Sequence, residues 1–574
     1  MTLACRGNLA GLAAALACAM SATPLQAQMG GLLGDSDVTA GQGGSATPSA
    51  AREGRGDRKS RKSRRDIAIS PYLEVDQTAI WNLKGGDGDT VTYTSVAAGV
   101  TASIETANAA LGADVRYEHQ FAWGGGRTDQ DILSGIVNGR IDAVRNVLSI
   151  EAGALATRVR ADGYIGANTT LADVTNTAHT YSAYIGPNLS VPVGDLTVTG
   201  AYRLGYNRVD TDFGAAAAVG APVAGYFDES WLHVANAAVG MQPGVLPVGW
   251  SLGVGWIRED ASQLDQRFDD KYARADITVP ISPTVALVGG VGYEKIEISN
   301  RDALRDANGV PVRDENGRFV TDSASPRRLS YDQDGIIWDA GVLWRPNPRL
   351  EAELRVGHRY GSMSYTGSLA WRGRNTAVNV VLFDSVDSFG RALNGALANI
   401  GTDFYVVRNP FSGDLTGCAF GDAQAGGACF TDTLTGITSA NFRNRGVVAQ
   451  IARRADAWTV SAAAGYAHRK FISDGQSVLA PANGLADQNY FAMLGASRAY
   501  GSDAAFDVMG YVNYFDSGTP GIGDVTNIGA NVGYRRMIWR RLSASAAIGI
   551  DSIDTQAQQS FISLLAQIGL RYQF

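Results

Sequence analysis

The sequence predicts an all-β protein, and three patterns carry this prediction. Apolar and polar residues alternate with a period of two, which is the side-chain period of a β-strand. The polar positions often hold charges, and the connections alternate between short turns and mostly longer polar loops. Strands with one apolar and one charged face predict a transmembrane antiparallel up-and-down β-barrel, with lipid outside and water inside.

The composition agrees with a barrel and argues against two other classes of protein. The mean hydropathy is −0.07 and the 574 residues include 69 glycines, as expected when lipid-facing and water-facing residues average out. No apolar run reaches the about 18 residues that a membrane-spanning helix needs. The net charge of −7 is small for this length and gives no sign of nucleic-acid binding. We expect no cofactor.

Residues 1–27 are predicted to be a secretory signal peptide. Arg6 precedes an apolar run from Leu9 to Met20, and Leu25-Gln26-Ala27 is suited to cleavage. Residues 28–66 are rich in Gly, Ser and Ala and then strongly basic, so we expect a disordered periplasmic arm. The arm is interpreted either as a soluble linker or as a contact for anionic lipid, peptidoglycan or a periplasmic partner.

Residues 67–574 are predicted to form the barrel, and two stretches show its faces most clearly. The odd positions from Leu111 to Trp123 are apolar or aromatic, whereas positions 114–120 carry polar or charged residues at every even number. Leu350 to Tyr360 also alternates, with apolar or aromatic residues at even positions and charges at 351, 353, 355 and 359. Because an unpaired charge facing lipid costs several kcal/mol, the charges are expected to face a wet interior. The candidate lumen charges are Asp114, Arg116, Glu118, Glu351, Glu353, Arg355 and Arg359. They either select solutes or simply pair with one another.

The last stretch, Phe561–Phe574, is predicted to be the closing strand. Every second residue from Leu564 to Phe574 is apolar. In outer-membrane barrels such a strand with a final Phe is the signal that the barrel-assembly machinery recognises, and we expect Phe574, Tyr572 and Leu570 to form it here. The alternative is an ordinary edge strand of a soluble protein.

The connections set the strand number. Short turns such as Pro192–Asp195 and Pro346–Pro348 alternate with longer polar loops near residues 163–177, 211–229, 300–330, 386–441 and 471–487. Short periplasmic turns and long outer loops are typical of outer-membrane barrels, in which the strand number is even. We count about 22 strands, within a range of 20–24. A soluble propeller or array of sandwiches is the alternative, but no repeat with a shared motif is visible.

The loop at residues 300–330 is predicted to project from the surface as a hairpin. It contains Asn308-Gly309 and Asn316-Gly317, which are strong signals for tight turns. Asp306, Asp314 and Glu315 leave a calcium site as the alternative, although their spacing does not follow that of a calcium-binding loop.

The loop at residues 386–441 contains Cys418 and Cys429, the two cysteines that lie outside the signal peptide. We expect a disulfide, since the mature chain is predicted to reside in an oxidising compartment; two free thiols are the alternative. A disulfide here would close a loop of ten intervening residues and contribute about 2–3 kcal/mol in the chain-entropy model. This loop is predicted to fold over or into the pore mouth and to restrict it.

Four motifs resemble a family of outer-membrane β-barrel proteins of sphingomonad-type bacteria: Tyr93–Val100, Leu264–Phe268, Gly335–Pro346 and Val407–Gly413. The resemblance covers most of residues 67–574 and implies an outer-membrane barrel. Some chains of this kind carry the name of the preprotein translocase subunit YajC, a small protein with one membrane helix, and nothing in this sequence matches that pattern. A weaker resemblance is to barrels of exopolysaccharide export systems. Neither resemblance implies a substrate or functional residues.

Three classes of function are compatible with such a barrel to different degrees. A porin-like channel or a passive or facilitated transporter needs a lumen wide enough for solutes, which about 22 strands provide. A structural or export component of a cell-envelope system is the alternative, with the basic arm binding a periplasmic partner. A membrane hydrolase would need a nucleophile and base in reach of each other. The sequence has five histidines and shows no catalytic or metal-binding motif, so we do not expect an enzyme.

Overall fold

The computed structural model describes residues 66–85, 90–123, 129–160, 177–211, 225–421, 427–434, 436–518, 523–555 and 560–574. The predicted signal peptide, and the predicted arm apart from Asp66, lie outside the described residues. The predicted loops near 163–177 and 211–229 fall mostly outside them as well.

The described residues form 25 strands and two α-helices. The strands are β1 Asp66–Lys84, β2 Thr90–Glu105, β3 Ala109–Ala122, β4 Gln130–Val144, β5 Leu148–Arg160, β6 Thr177–Val193, β7 Leu196–Thr211, β8 Glu229–Met241, β9 Gly249–Ala261, β10 Gln266–Pro280, β11 Val285–Asn300, β12 Arg328–Asn347, β13 Leu350–Arg359, β14 Ser362–Arg372, β15 Thr376–Asp387, β16 Phe404–Arg408, β17 Leu415–Gly421, β18 Ala428–Cys429, β19 Asn441–Ala455, β20 Trp458–Ile472, β21 Ala486–Tyr500, β22 Ala504–Asp516, β23 Val525–Trp539, β24 Leu542–Thr555 and β25 Phe561–Gln573. The helices are α1 Phe389–Ala398 and α2 Thr431–Leu434, and 3-10 turns lie at Gln263–Asp265 and Ala480–Ala482.

Twenty-two of these strands close into one antiparallel barrel, which confirms the predicted fold and strand number. Strand β1 pairs with β2 on one side and with β25 on the other, and the β1–β25 ladder runs from Tyr72 opposite Gln573 to Lys84 opposite Ile562. Strands β16, β17 and β18 form a separate three-stranded sheet. The first barrel strand begins at Asp66, one residue before the predicted boundary.

The two edges of the barrel differ in the length of their connections. Strand β1 begins and β25 ends at the edge with short turns, such as residues 145–147 and 540–541. The opposite edge carries the long connections 301–327, 388–440 and 473–485. By the rule of short periplasmic turns, the first edge is periplasmic and the second is extracellular. One extracellular connection is unexpectedly short: Tyr360 and Gly361 join β13 to β14 in a tight turn with φ of 53° and 70°.

The outer surface of the barrel is apolar. The outward side chains Ile568 and Leu570 of β25 and the terminal Phe574 are 67%, 48% and 58% exposed. Exposed tryptophans lie at both edges: Trp344, Trp371, Trp458 and Trp539 at the periplasmic edge, and Trp81, Trp123 and Trp231 at the extracellular edge. An apolar band between two aromatic girdles is stable only in a bilayer, and a closed barrel of this kind belongs in the bacterial outer membrane.

The connection between β15 and β19 folds into the barrel, as predicted for this loop. We call residues 388–440 the inner segment. It contains α1, the small sheet β16–β18 and α2. Helix α1 begins after Ser388, whose hydroxyl accepts a hydrogen bond from the backbone N–H of Arg391 (3.1 Å). The segment reaches the periplasmic half of the lumen, because a Cβ on Gly112 of β3 would lie 2.2 Å from the Thr402 carbonyl oxygen.

The main hydrophobic core lies between the inner segment and the inner face of β4–β7. Phe389, Leu393 and Leu397 of α1 pack with wall residues such as Ile136 and Leu155. The expectation of a wet interior is therefore wrong for the part of the barrel formed by β4–β7. The strand alternation still holds, but the inward positions here include apolar residues that pack against the inner segment and exclude water.

The extracellular loop 301–327 folds over the mouth and does not simply project, which corrects the expectation for residues 300–330. Its two predicted tight turns are present: Asp306 and Asp314 each accept backbone N–H groups from their own turns. However, Ala303 and Phe319 are 3% and 6% exposed and pack with Phe442 and with residues of the 473–485 connection.

Candidate functional site inside the barrel

Three ion pairs fix the inner segment to different parts of the wall. Arg391 pairs with Glu259 of β9 (2.8 Å), Arg408 pairs with Asp114 of β3 (2.6 Å), and Asp414 pairs with Arg158 of β5 (2.8 Å). The first and third pairs are almost fully buried. Removal of one partner from a buried pair leaves an uncompensated charge, which typically costs about 3–5 kcal/mol. These pairs therefore specify one position of the segment.

Arg391 and Arg408 are the two basic residues of the inner segment, and the wall provides each with several acceptors. Arg391 also hydrogen-bonds the Asn441 Oδ1 (3.2 Å), and its guanidinium lies 3.6 Å from the centroid of the Phe268 ring. Arg408 also donates to the Ser134 hydroxyl and to the Gly413 carbonyl, both at 2.7 Å. Both cations are thus held by several partners, as a buried charge requires.

The motif Val407–Gly413 forms a tight loop that lies flat on the wall. The Asn409 Oδ1 accepts the backbone N–H of Phe411 (3.0 Å), and the Gly413 N–H donates to the Asn409 carbonyl (2.9 Å). Gly413 has a φ of +67°, which glycine adopts without strain. Outside the motif, the Tyr93 hydroxyl of β2 donates to the Phe411 carbonyl (2.6 Å). The resemblance identified this motif, but no pattern in the sequence indicated that it contacts the wall.

Helix α1 ends against β4. The Asn138 Nδ2 donates to the carbonyl groups of Leu397 (3.1 Å) and Ile400 (2.9 Å). Carbonyls at a helix C-terminus have no partner within the helix, so Asn138 satisfies them from the wall. Earlier in α1, the Asn394 Nδ2 donates to the Ala183 carbonyl of β6 (3.0 Å).

A disulfide joins Cys418 of β17 to Cys429 of β18, with the two Cα atoms 4.0 Å apart. The Gln450 amide of β19 lies 2.8 Å from the Cys429 sulfur. Nearby, burial raises the pKa of Asp432 in α2, and the positive charge of Arg469 opposes that rise. The disulfide holds together the part of the inner segment that faces β19.

The predicted lumen charges all lie on inward positions and all take part in ion pairs. Asp114 binds Arg408, as described above. Arg116 bridges Glu118 (2.9 Å) and Glu74 of β1 (3.1 Å). With the inner segment packed nearby, Arg116 and Glu118 are only 6% and 2% exposed. Arg116 and Glu118 are therefore covered by the inner segment near Gly413 and do not line open water.

The remaining predicted charges lie on β13. Glu351 pairs with Arg345 (2.8 Å), and Glu353 pairs with Arg355. Arg355 also contacts Asp276 of β10 (3.1 Å) and Asp339 of β12 (3.0 Å), and Arg274 joins the same carboxylates. Arg359 binds Glu294 of β11 through two nitrogens. Sequence reasoning missed the partners Glu74, Asp276, Asp339 and Glu294, although alternation places each of them on an inward position.

The wall around β14 is less covered than the rest of the interior. Ser368 on the inner face of β14 is exposed, and its inward neighbours Thr366 and Ala370 are half-buried. The side-chain contacts of the inner segment described above lie instead on β2–β10 and β19. Towards the extracellular end, this side is closed by Glu294–Arg359 and by a cluster that includes Phe268, Ile296 and Tyr360. The lumen is therefore asymmetric, with space for solvent beside β14.

All five histidines, His119, His179, His233, His358 and His468, occupy outward positions of their strands. His119, for example, lies on the lipid face, 2.8 Å from the Asp131 carboxylate. Among the described residues, no group of three or more His, Cys, Asp or Glu side chains is arranged to hold a metal ion. In the same part of the chain, no helix has the length and apolar character to cross a bilayer.

Comparisons with known proteins identify similar barrels but no family. No protein-family model matches the chain, and no curated protein matches it significantly. Similar solved structures include the FrpB iron transporter from Neisseria meningitidis, with 9% identity, TM-score 0.42 and coverage of 88% of this chain and 81% of that chain. The ferric-catecholate import receptor Fiu from E. coli K12 has 10% identity, TM-score 0.42 and coverage of 87% and 81%. The siderophore receptor PiuA from Acinetobacter baumannii has 9% identity, TM-score 0.39 and coverage of 87% and 82%. All three TM-scores are below 0.5, so the fold assignment rests on the strand pairing of this chain.

Proposed function

We propose that this chain is an outer-membrane transporter whose lumen is gated by the inner segment. One observation carries the proposal: the barrel closes without that segment. Strands β15 and β19 pair directly along their length, from Thr376 opposite Arg453 to Asp387 opposite Phe442. The inner segment is therefore an insertion at the extracellular end of a complete ladder. It can leave the wall without breaking any ladder of the barrel, although its bridge from Thr438 to Tyr226 would be lost.

The contacts of the inner segment suit a gate of this kind. Its ion pairs and hydrogen bonds join polar groups across the lumen, and water can replace such partners when the segment moves. The apolar contacts of α1 with β4–β7 oppose that movement and favour the closed position. The solvent-accessible wall at β14 provides the start of a path past it. A polar solute is the class that this wall of Ser, Thr and charged side chains accommodates. Two further expectations from the sequence stay as proposals. One is that the assembly machinery recognises Phe574, Tyr572 and Leu570, and the other is that the basic arm contacts a periplasmic partner.

Conductance in planar lipid bilayers tests the gate. In the test variant, residues 389–439 are replaced by a short Gly-Ser linker. The matched control replaces residues 305–319 of the extracellular loop in the same way. We expect small or rare openings for the wild type and for the control, and large, long-lived openings for the test variant. Both variants must show the slower mobility after heating that marks a folded barrel.

Two results would contradict the proposal. A test variant that folds but stays silent would show that the barrel has no path for solutes even without the inner segment. Equal conductance in the wild type and the test variant would show that the segment does not gate the lumen.

A further inference from the structure

Three arginines lie on the lipid-facing surface at the periplasmic edge. They are Arg453 of β19, Arg498 of β21 and Arg536 of β23, and all three are exposed. Each occupies an outward position: Arg453 follows the lipid-facing Val447 and Ile451, and Arg498 lies opposite Trp458 in the β20–β21 ladder. Since neighbouring strands are about 4.8 Å apart, arginines on every second strand are spaced by roughly 10 Å.

Aromatic side chains place these arginines at the depth of the lipid headgroups. The Arg498 guanidinium lies 5.3 Å from the Trp458 ring centroid and 4.7 Å from that of Tyr500. Trp and Tyr are enriched where a membrane barrel meets the headgroup region. The stacking holds the cation of Arg498 at this level, and the exposed Trp539 marks the same level at the end of β23.

No carboxylate of the described residues lies within ion-pair distance of these three guanidinium groups. The outward cations of the extracellular edge behave differently. Arg208 pairs with Asp210 (2.6 Å), Arg258 with Asp260 (2.7 Å) and Lys295 with Glu297 (2.6 Å). These extracellular cations, unlike the exposed Lys470 of β20, are neutralised by carboxylates of the protein, whereas the three periplasmic arginines require counterions from outside the chain.

The surface is also restricted to one side of the barrel. Strands β2, β4 and β6 run to the periplasmic edge in the same direction as β19, β21 and β23, but their last outward positions hold the apolar residues Ile104, Val144 and Val193. Exposed Arg535, Arg540 and Arg541 add further positive charge beside Arg536. Exposed arginines also lie in other periplasmic turns, at Arg145, Arg349 and Arg374. Among the described residues, however, the lipid-facing arginines of this edge lie on β19, β21 and β23, next to the inner leaflet.

We infer that the periplasmic edge of β19–β24 binds anionic phospholipids of the inner leaflet, with Arg453, Arg498 and Arg536 as the phosphate contacts. A guanidinium forms two parallel hydrogen bonds to a phosphate and, being weakly hydrated, loses little solvation energy in doing so. The aromatic rings would lie beside the glycerol and upper acyl region of the same lipid. This lipid would be retained at the barrel and would orient it in the membrane, independently of any transport through the lumen.

Native mass spectrometry of the full chain tests the inference. The protein is released from detergent micelles that contain equal amounts of dioleoyl-phosphatidylglycerol and dioleoyl-phosphatidylcholine, and the retained lipids are counted. The test variant is R453Q/R498Q/R536Q. The matched control is R208Q/R258Q/R267Q, which removes three outward arginines from the extracellular edge. The wild type and the control should retain phosphatidylglycerol preferentially, and the test variant should lose that preference, by roughly fivefold for each arginine removed.

A conservative variant separates charge from folding. R453K/R498K/R536K keeps the positive charge and should keep most of the preference, and R498Q alone should lower it by roughly fivefold. Three results would overturn the inference: no preference in the wild type, an unchanged preference in the triple glutamine variant, or an equal loss in the extracellular control. The last result would mean that the lipid responds to net charge and not to this surface.

Discussion

At the scale of a single residue, Gly549 shows how closely the inner segment fits the wall. It occupies an inward position of β24, and a Cβ there would lie 2.6 Å from the Phe411 ring. Phe411 is 3% exposed and has little room to move. We therefore expect G549A to displace the motif at a cost of about 1–3 kcal/mol, which is typical of overpacking. Hydrogen exchange of the amides of residues 407–414, measured by mass spectrometry, should become faster by the factor that this free-energy cost implies.

Gly533 on β23 is the matched control for this substitution. It also faces inward, but the nearest atoms to a Cβ are 3.9 Å away, so G533A should leave exchange in the motif unchanged. In the background of F411A, the ring that the added methyl group meets is absent, and G549A should then add little further exchange. If G549A and G533A had the same effect on residues 407–414, Phe411 would not lie on Gly549.

The sequence pattern predicted which side chains of the barrel wall face inward, but it did not predict their contacts across the lumen. The inward positions of Asp114, Arg116, Glu353 and Arg355 follow from a period of two. The partner of Asp114, in contrast, is Arg408, which is 294 residues away in the sequence. A local pattern cannot identify such a pair, because many inward charges are equally compatible with the alternation. The pairing is decided by how the inner segment enters the barrel.

At the scale of the element, the disulfide should control the stability of the small sheet β16–β18. The bond closes ten intervening residues and joins two short strands whose pairing alone is weak. Without it we expect a local loss of about 2–3 kcal/mol in the chain-entropy model. Limited proteolysis should therefore cut the inner segment faster in C418S/C429S than in the wild type, while the barrel strands stay resistant.

The reduced wild type is the control for this pair of substitutions. Cys418 is buried, so a serine hydroxyl there would destabilise the inner segment independently of the missing disulfide. Reduced wild-type protein and the double variant should be cut at the same sites and at similar rates. Equal resistance of the oxidised and reduced wild type would show that the bond adds nothing to the stability of the inner segment.

Strands that face lipid were predictable because the bilayer requires an apolar outer face on every one of them. The closing strand Phe561–Gln573 has every predicted outward residue on the outer face. Loops have no such rule. The tight turn at Tyr360-Gly361 and the packing of residues 301–327 over the mouth depend on neighbouring loops, and the sequence of either stretch alone does not reveal those neighbours.

At the scale of the whole molecule, the fold depends on the β1–β25 seam that closes the cylinder. Ala79 of β1 lies directly opposite Ala566 of β25, and both occupy outward positions. Directly opposed Cβ atoms are about 4.5–5.5 Å apart, which is within the range that a disulfide bridges after small adjustments. We expect A79C/A566C to form a cross-link under mild oxidation. The unfolded chain would then be a large ring that migrates differently on a non-reducing gel.

The variant A79C/L564C tests the register of the same seam. Leu564 lies opposite Trp81, two residues along the ladder, and such a diagonal pair is about 7–8 Å apart. It should form the cross-link much more slowly than A79C/A566C. A register shifted by two residues would reverse the two rates, and an open sheet would give neither product. Because closure leaves no unpaired strand edge in lipid, a seam that failed to cross-link in either variant would refute the membrane barrel itself and, with it, the gate and the lipid surface proposed for it.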